Sequence, residues 1–252
     1  MRIVIQFRII ALSIVSVFLF SCSSNYKLVN ARRVLYPISA DVAADSTVIK
    51  TYLPYKLKMD SQMNAVIGYS AIALTKTSVG GESLLGNFFS DAALNEARKT
   101  YPDIDFAMPS TNGGLRNDLP LGAITLSNVF ELMPFENELI VFELNGSSVQ
   151  TLINMIAKSN GQPVSGITIK IQNKKPVRVF INGKPFDSAK NYKVLTSDYI
   201  AGGGDDVNSF KNPVKSTIVG LKVRDALIQY IKNQQAAGKK ISSTLDRRIT
   251  HD

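Results

Sequence analysis

Three short stretches hold residue types that could grip a small polar ligand. Residues 111–116 read TNGGLR, where two adjacent glycines precede a guanidinium. Gly113 and Gly114 let the backbone come close to a ligand with its N–H groups free to donate, and Arg116 is a fork-shaped partner for carboxylate or phosphate. An ordinary turn with a structural arginine has the same spelling. Residues 133–137 read MPFEN, which puts Phe135 after a proline at the mouth of a predicted strand, with Asn137 beside it. Taken alone, that aromatic also suits a core. Residues 197–206 read SDYIAGGGDD: Tyr199 at a strand end, a glycine run that includes Gly203 and Gly204, then Asp205 and Asp206. A carboxylate after a glycine turn can accept from the vicinal hydroxyls of a ribose, and it can equally cap a helix.

Other chemistries are excluded by composition. The 252 residues include one His and one Cys, whereas two-His metal clips and dinuclear centres need several ring nitrogens on one ion. A Ser/His/Asp or Cys/His nucleophile needs its base held within hydrogen-bond reach, and the lone His251 is penultimate, where chain ends usually fray. No catalytic residue and no metal ligand is therefore assigned to this chain. Lys and Arg number 29 against 20 Asp and Glu, a formal charge of +9, which favours an anionic ligand or acidic partner. The cations form no stripe interleaved with aromatics, so nucleic-acid binding is not expected. Lys239 with Lys240, and Arg247 with Arg248, read as solvated pairs.

The elements that must position these loops follow from periodicity. Arg2 and Arg8 flank the start of an apolar run over residues 9–20, too short for an ordinary membrane-spanning helix and suited to a secretory signal. The run ends in LFSC, which resembles a bacterial lipobox with Cys22 as the acylated first residue of the mature chain; a plain signal peptide or an uncleaved anchor is the alternative. Residues 23–44 read as a tether with a reach of about 3.3 Å per residue. Asp45 can cap a helix running to Met63 and interrupted or restarted at Pro54. A strand over 66–74, a helix over 82–99, a short strand over 104–108 and a helical turn near 127–132 follow. Beyond them come a buried strand over 139–144 and a helix opened by a Ser147/Gln150 capping box. Ile167, Ile169 and Ile171, then Val177, Val179 and Ile181, alternate as paired strands ending at an Asn182-Gly183 turn. A strand over 192–197 and an amphipathic helix around Val223, Leu227, Tyr230 and Ile231 complete the pattern. The fold class is α+β, a mixed β-sheet covered by helices.

In their order and spacing, E-S-x-x-G-N (from Glu82), N-G-G-[IL]-R, P-F-x-N and G-G-D make the chain resemble the C-terminal domain of the bacterial 5′-nucleotidase / UDP-sugar hydrolase family, over roughly residues 45–234. The resemblance implies a substrate pocket in which a nucleobase stacks between two aromatics, matched by Phe135 and Tyr199. Asn137 matches the polar companion of the first ring, Asp205 the acid that binds the sugar, and Arg116 the arginine of the glycine turn. It also implies, for full-length members, a preceding metallophosphoesterase domain with two metal ions; no such domain is expected within this chain. Lys76 is the nearest cation before Glu82, where the family commonly has arginine. Thr111 stands where Asn or Ser is frequent, and Asp206 where a glycine usually follows. These departures bear on phosphate binding more than on nucleoside or sugar recognition.

The expected organisation is a lipoprotein signal peptide (1–21), a tether (22–44), a linker-type helix (45–64), a 5′-nucleotidase C-terminal-like domain (65–240) and a tail (241–252). The expected role is the substrate-recognition half of a 5′-nucleotidase-type phosphohydrolase. It would bind a nucleotide or nucleoside, work with a separately encoded metallophosphoesterase carrying two divalent metals, and itself hold no cofactor. The alternative is a non-catalytic periplasmic nucleotide- or nucleoside-binding lipoprotein. Ser23 and Ser24 after Cys22 leave out an aspartate retention signal, so the outer membrane facing the periplasm is the expected location.

Overall fold

A computed structural model describes residues 28, 30–39 and 41–251. The chain divides into two units, Met1–Ile49 and Lys50–Asp252. In the first, residues 30–39 are exposed and without regular secondary structure; the apolar leader and Cys22 lie outside the described residues. Helix α1 (Ser46–Met63) opens on Asp45, whose carboxylate accepts from the N–H groups of Thr47 (2.7 Å) and Val48 (3.2 Å). Those bonds hold the Asp45 carboxyl below its ordinary value. The helix runs on through Pro54, and none of its residues is buried. No helix among the described residues is long and apolar enough to cross a membrane.

The second unit continues, in chain order, with β1 (Val66–Ser70), α2 (Leu84–Arg98), β2 (Phe106–Ala107), β3 (Gly122–Thr125), α3 (Leu126–Leu132), β4 (Glu138–Asn145) and α4 (Gly146–Lys158). Then come β5 (Ile167–Gln172), β6 (Lys175–Ile181), β7 (Lys184–Pro185), β8 (Asn191–Ser197), α5 (Asp198–Ala201), β9 (Lys215–Lys222), α6 (Val223–Ala236) and β10 (Ile249–His251). The central sheet has the order β2-β8-β4-β9, with β2 parallel to β8 and the other neighbours antiparallel. A second sheet has the order β10-β5-β6-β7, and β1 pairs with β3. This is an α+β architecture.

The central sheet is buried on both faces, so β4 reads as a nearly unbroken apolar run. Leu139 and Val141 of β4, with Leu195 and Ala107, enter one cluster with Phe88 and Phe89 of α2 and Leu227 and Ile231 of α6. Phe142 and Leu144, with Val194 and Phe106, enter the other, against Leu152, Ile153 and Ile156 of α4 and Ile167, Ile169 and Ile171 of β5. Each such side chain contributes roughly 1.5–3 kcal/mol by leaving water, which fixes the sheet as the frame from whose ends the glycine-rich loops project.

Several local expectations are corrected. The strand expected over 66–74 stops at Ser70, whose hydroxyl donates to the Ile72 carbonyl (2.6 Å) and turns the chain; Leu74 keeps one isolated bridge to Leu119. Asn145, rather than Ser147, caps α4 by accepting from the Ser148 N–H (2.9 Å). The helix therefore starts at Gly146, which lies against the Ser188 backbone, where a Cβ would come within 2.2 Å of the Ser188 carbonyl oxygen. His251 does not fray: it pairs with Ile171 in the parallel β10–β5 ladder. Arg248 is not solvated but buried, 8% exposed, with its guanidinium held by Asp91 and Asp246. Strands β3, β9 and β10 carry no clear alternation and were not expected.

Candidate functional site

The glycine turn is a short 3-10 turn, Asn112–Gly114, held from both sides. The Arg116 N–H donates to the Leu132 carbonyl (3.0 Å), and the Arg116 guanidinium donates to the Gly113 carbonyl (3.2 Å) while the residue stays exposed. Lys76 donates through Nζ to the Arg116 carbonyl (2.9 Å), so the cation noted ahead of Glu82 sits beside this turn. A Cβ on Gly114 would lie 2.0 Å from the Ser110 hydroxyl, which would have to turn aside.

The second loop leaves α3 and enters β4. Phe135 is 41% exposed, so its ring is not a core residue. Arg224, at the start of α6, fastens the loop: its Nη1 donates to the carbonyls of Phe135 (3.3 Å) and Met133 (3.5 Å), and its Nη2 to the Glu136 carboxylate. The Arg224 guanidinium also lies 4.0 Å over the Phe130 ring. Lys222 pairs with the same carboxylate. Hydrogen bonds from Lys222 and then Arg224 lower the Glu136 carboxyl to about 2.

The third loop follows β8. Ser197 caps the short helix α5, which presents Tyr199 at 51% exposure. After it, Gly203 takes a φ of +94°, and Asp205 and Asp206 adopt left-handed φ values of +52° and +60°, a conformation in which Asn and Asp are enriched among non-glycine residues. The Asp205 carboxylate accepts from the Tyr199 hydroxyl (3.0 Å) and from the Thr111 hydroxyl. Asp205 thereby raises the Tyr199 phenol above its ordinary value, so the ring keeps its proton to donate. A carboxylate offers about four lone-pair positions, which leaves Asp205 capacity for further donors.

These loops meet. A cavity of about 640 Å³ is lined by Gly113, Gly114 and Arg116 of the first, Phe135 and Asn137 of the second, and Tyr199 and Asp205 of the third. Gly203 and Gly204 do not line it. Gly204 instead backs the Tyr199 ring, where a Cβ would fall 2.5 Å from the nearest ring carbon. Cys22 lies outside the described residues. The lining also includes Ser110, Glu136 and Asp198, which sequence reasoning did not single out. Asp198 links the two aromatic loops, accepting from the Asn137 amide (3.0 Å) and the Tyr199 N–H (2.7 Å). Its only sequence signal was its place in the first turn after Ser197. Arg224 was equally silent, an arginine inside an otherwise apolar helical stripe. Among the described residues no cluster of three or more His, Cys, Asp or Glu is placed to hold a metal ion.

Fold and site together define a pocket-bearing domain: an α+β frame whose loops bring two exposed rings, an amide, a carboxylate and a guanidinium round one cavity. Residues 66–212 match the family model for the 5′-nucleotidase, C-terminal domain, and the chain belongs to that family. A cell wall protein of Listeria monocytogenes is 32% identical over 184 residues, 66% of this chain and 23% of that protein. Protein UshA of Yersinia enterocolitica is 25% identical over 209 residues, 80% of this chain and 37% of that protein. Among solved structures, a 5′-nucleotidase precursor from Thermus thermophilus superposes with a TM-score of 0.69 at 25% identity, covering 81% of this chain and 43% of that one. The chain thus spans less than half the length of each of these relatives.

Proposed function

We propose that this chain is the substrate-recognition half of a 5′-nucleotidase-type phosphohydrolase, which binds a nucleotide or nucleoside and works with a separately encoded metallophosphoesterase. One observation carries the reading: Phe135 and Tyr199, from loops separated by most of the central sheet's sequence, line the same cavity with Asp205, Asn137 and Arg116. Its volume of about 640 Å³ is in the range of small-molecule sites. Phe135 and Tyr199 stack the base, each stacked base being worth about 1–3 kcal/mol. Asp205 accepts from sugar hydroxyls, and Arg116 faces the anionic end. Two divalent metals on the partner supply the hydrolytic chemistry.

Helix α1 supports the two-chain form. Its 18 residues include none that is buried, and Tyr52, Leu53, Tyr55, Leu57 and Met59 are all at least 40% exposed, an apolar surface suited to a partner chain. The chain is exported and acylated at Cys22, with its domain facing the periplasm from the outer membrane. The lipobox-like leader supports export and acylation, and the cell-wall relative supports a place in the cell envelope.

Calorimetry with adenosine and AMP tests the pocket. Binding is expected for the unmodified chain and lost in Phe135→Ala and Tyr199→Ala, with circular dichroism unchanged. Loss of folding in both variants would instead make the rings core residues. Mixing the chain with a candidate metallophosphoesterase should raise phosphate release from AMP above that of the partner alone. Binding without any such gain, and without a complex, would leave a non-catalytic nucleotide binder and overturn the two-chain part.

A further inference from the structure

Away from the pocket, one part of the surface is strongly basic. Between Ile167 and Phe186 the chain has Lys170, Lys174, Lys175, Arg178 and Lys184 and neither Asp nor Glu. These residues fall on β5, β6, β7 and their turns, with Lys170 opposite Arg178 in the ladder. Lys174, Lys175, Arg178 and Lys184 are exposed. Among the described residues, none of those four meets a carboxylate at ion-pair distance.

Lys174 and Lys175 stand at the turn of the hairpin, Lys170 and Arg178 along its strands, and Lys184 beyond the far end of β6. Asn173 and Lys174 both have positive φ, 51° and 59°, which reverses the chain tightly and places Lys174 and Lys175 at the tip. With Pro176 and with Gln150 and Asn154 of α4, they line a shallow groove of about 440 Å³. It shares no residue with the cavity of Phe135 and Tyr199. Val177, 51% exposed, sits between Lys175 and Arg178 where the β5–β6 register shifts.

We infer that this hairpin tip is a docking surface for an anionic lipid membrane. A lone phosphate calls for donors converging on one point, whereas these cations are spread along two strands and a turn, as a plane of headgroups requires. The exposed Val177, beside the half-buried Pro176, gives the basic strip an apolar point that fits the headgroup boundary and has no use against a soluble polyanion. The leader sequence adds to this: an apolar run over residues 9–20 followed by a tether would keep the domain within reach of a bilayer. Each cation close to an anionic leaflet strengthens partition about fivefold. The effect is screened by salt.

Vesicle co-sedimentation of the full chain tests this, with phosphatidylcholine alone against phosphatidylcholine containing phosphatidylglycerol. The expected result is partition at least about tenfold stronger onto the anionic vesicles at low salt, falling at high salt. The triple variant Lys174→Glu, Lys175→Glu, Arg178→Glu should lose that preference while keeping its circular dichroism. Should it fail to fold, the corresponding glutamine variant replaces it. Val177→Ser should weaken vesicle binding and leave any binding to soluble polyphosphate unchanged. Equal partition onto both vesicle types, an unaffected triple variant, or Val177→Ser weakening polyphosphate and vesicle binding alike would overturn the inference.

Discussion

At the scale of single residues, the pocket depends on contacts that fix where each ring stands. Tyr199 is held by its hydroxyl on Asp205 (3.0 Å) and backed by Gly204, which has no room for a methyl group. Gly204→Ala therefore forces the ring aside without touching the core, because Tyr199 is 51% exposed. Surface substitutions of this kind change stability by about 0.5 kcal/mol or less. Losing one stacking wall should weaken adenosine binding roughly fivefold to a hundredfold. Calorimetry of the variant beside a melting curve separates the two quantities, and an unchanged affinity would mean that Tyr199 is no wall of the binding slot. Asp205 and Thr111 belong to the same small system, since the threonine donates to the carboxylate that holds the tyrosine.

At the scale of elements, legibility followed whether a signal was local. The Asp45 cap, the helix bearing Phe88 and Phe89, and the Asn182-Gly183 reversal with φ of 50° and 73° are written in neighbouring residues and could be read directly. Strand β9 could not: Lys215, Gly220 and Lys222 spoil its alternation, and it exists because β4 offers it an edge. Strand β10 depends in the same way on β5. The site divides similarly, for its ring, amide and acid residues lie in contiguous motifs, while the Arg224 clamp on the Phe135 carbonyl spans 89 positions. Helix α1 is the opposite case, foreseen in extent yet without a buried residue. Helices in proteins draw most of their stability from packing an apolar face, which α1 does not do, and Pro54 removes one of its hydrogen bonds. Hydrogen exchange of the isolated chain should show α1 amides nearly unprotected and α2 amides strongly protected, with α1 gaining protection when a partner chain binds. Equal protection of both helices in the isolated chain would mean that α1 is already covered.

At the scale of the whole molecule, a buried guanidinium adds to the β10–β5 ladder in fastening the C-terminal segment. Arg248 donates to both oxygens of Asp91 on α2 (2.7 and 2.9 Å), to Asp246 and to the Val164 carbonyl. It thereby ties β10, and through it the second sheet, to the helix that covers the central one. Breaking a buried pair costs about 3–5 kcal/mol, and the part-exposed carboxylates here reduce that to roughly 2 kcal/mol. Arg248→Met, which keeps the aliphatic volume, should lower the melting temperature by about 4–8 °C. Adenosine binding should be unaltered, since Arg248 lines a different groove from Phe135 and Tyr199. The pH dependence has a definite sign. Hydrogen bonding from Arg248 depresses the Asp246 carboxyl below its ordinary 3.8, so the folded state holds fewer protons than the unfolded state just below that value. The stability this pairing adds is complete above about pH 4 and is lost as the pH falls through the depressed value. Acid unfolding should accordingly be less steep below pH 4 in Arg248→Met than in the unmodified chain. Identical acid limbs in chemical denaturation would show that the C-terminal strand is held by its ladder and packing, without a contribution from this ion pair.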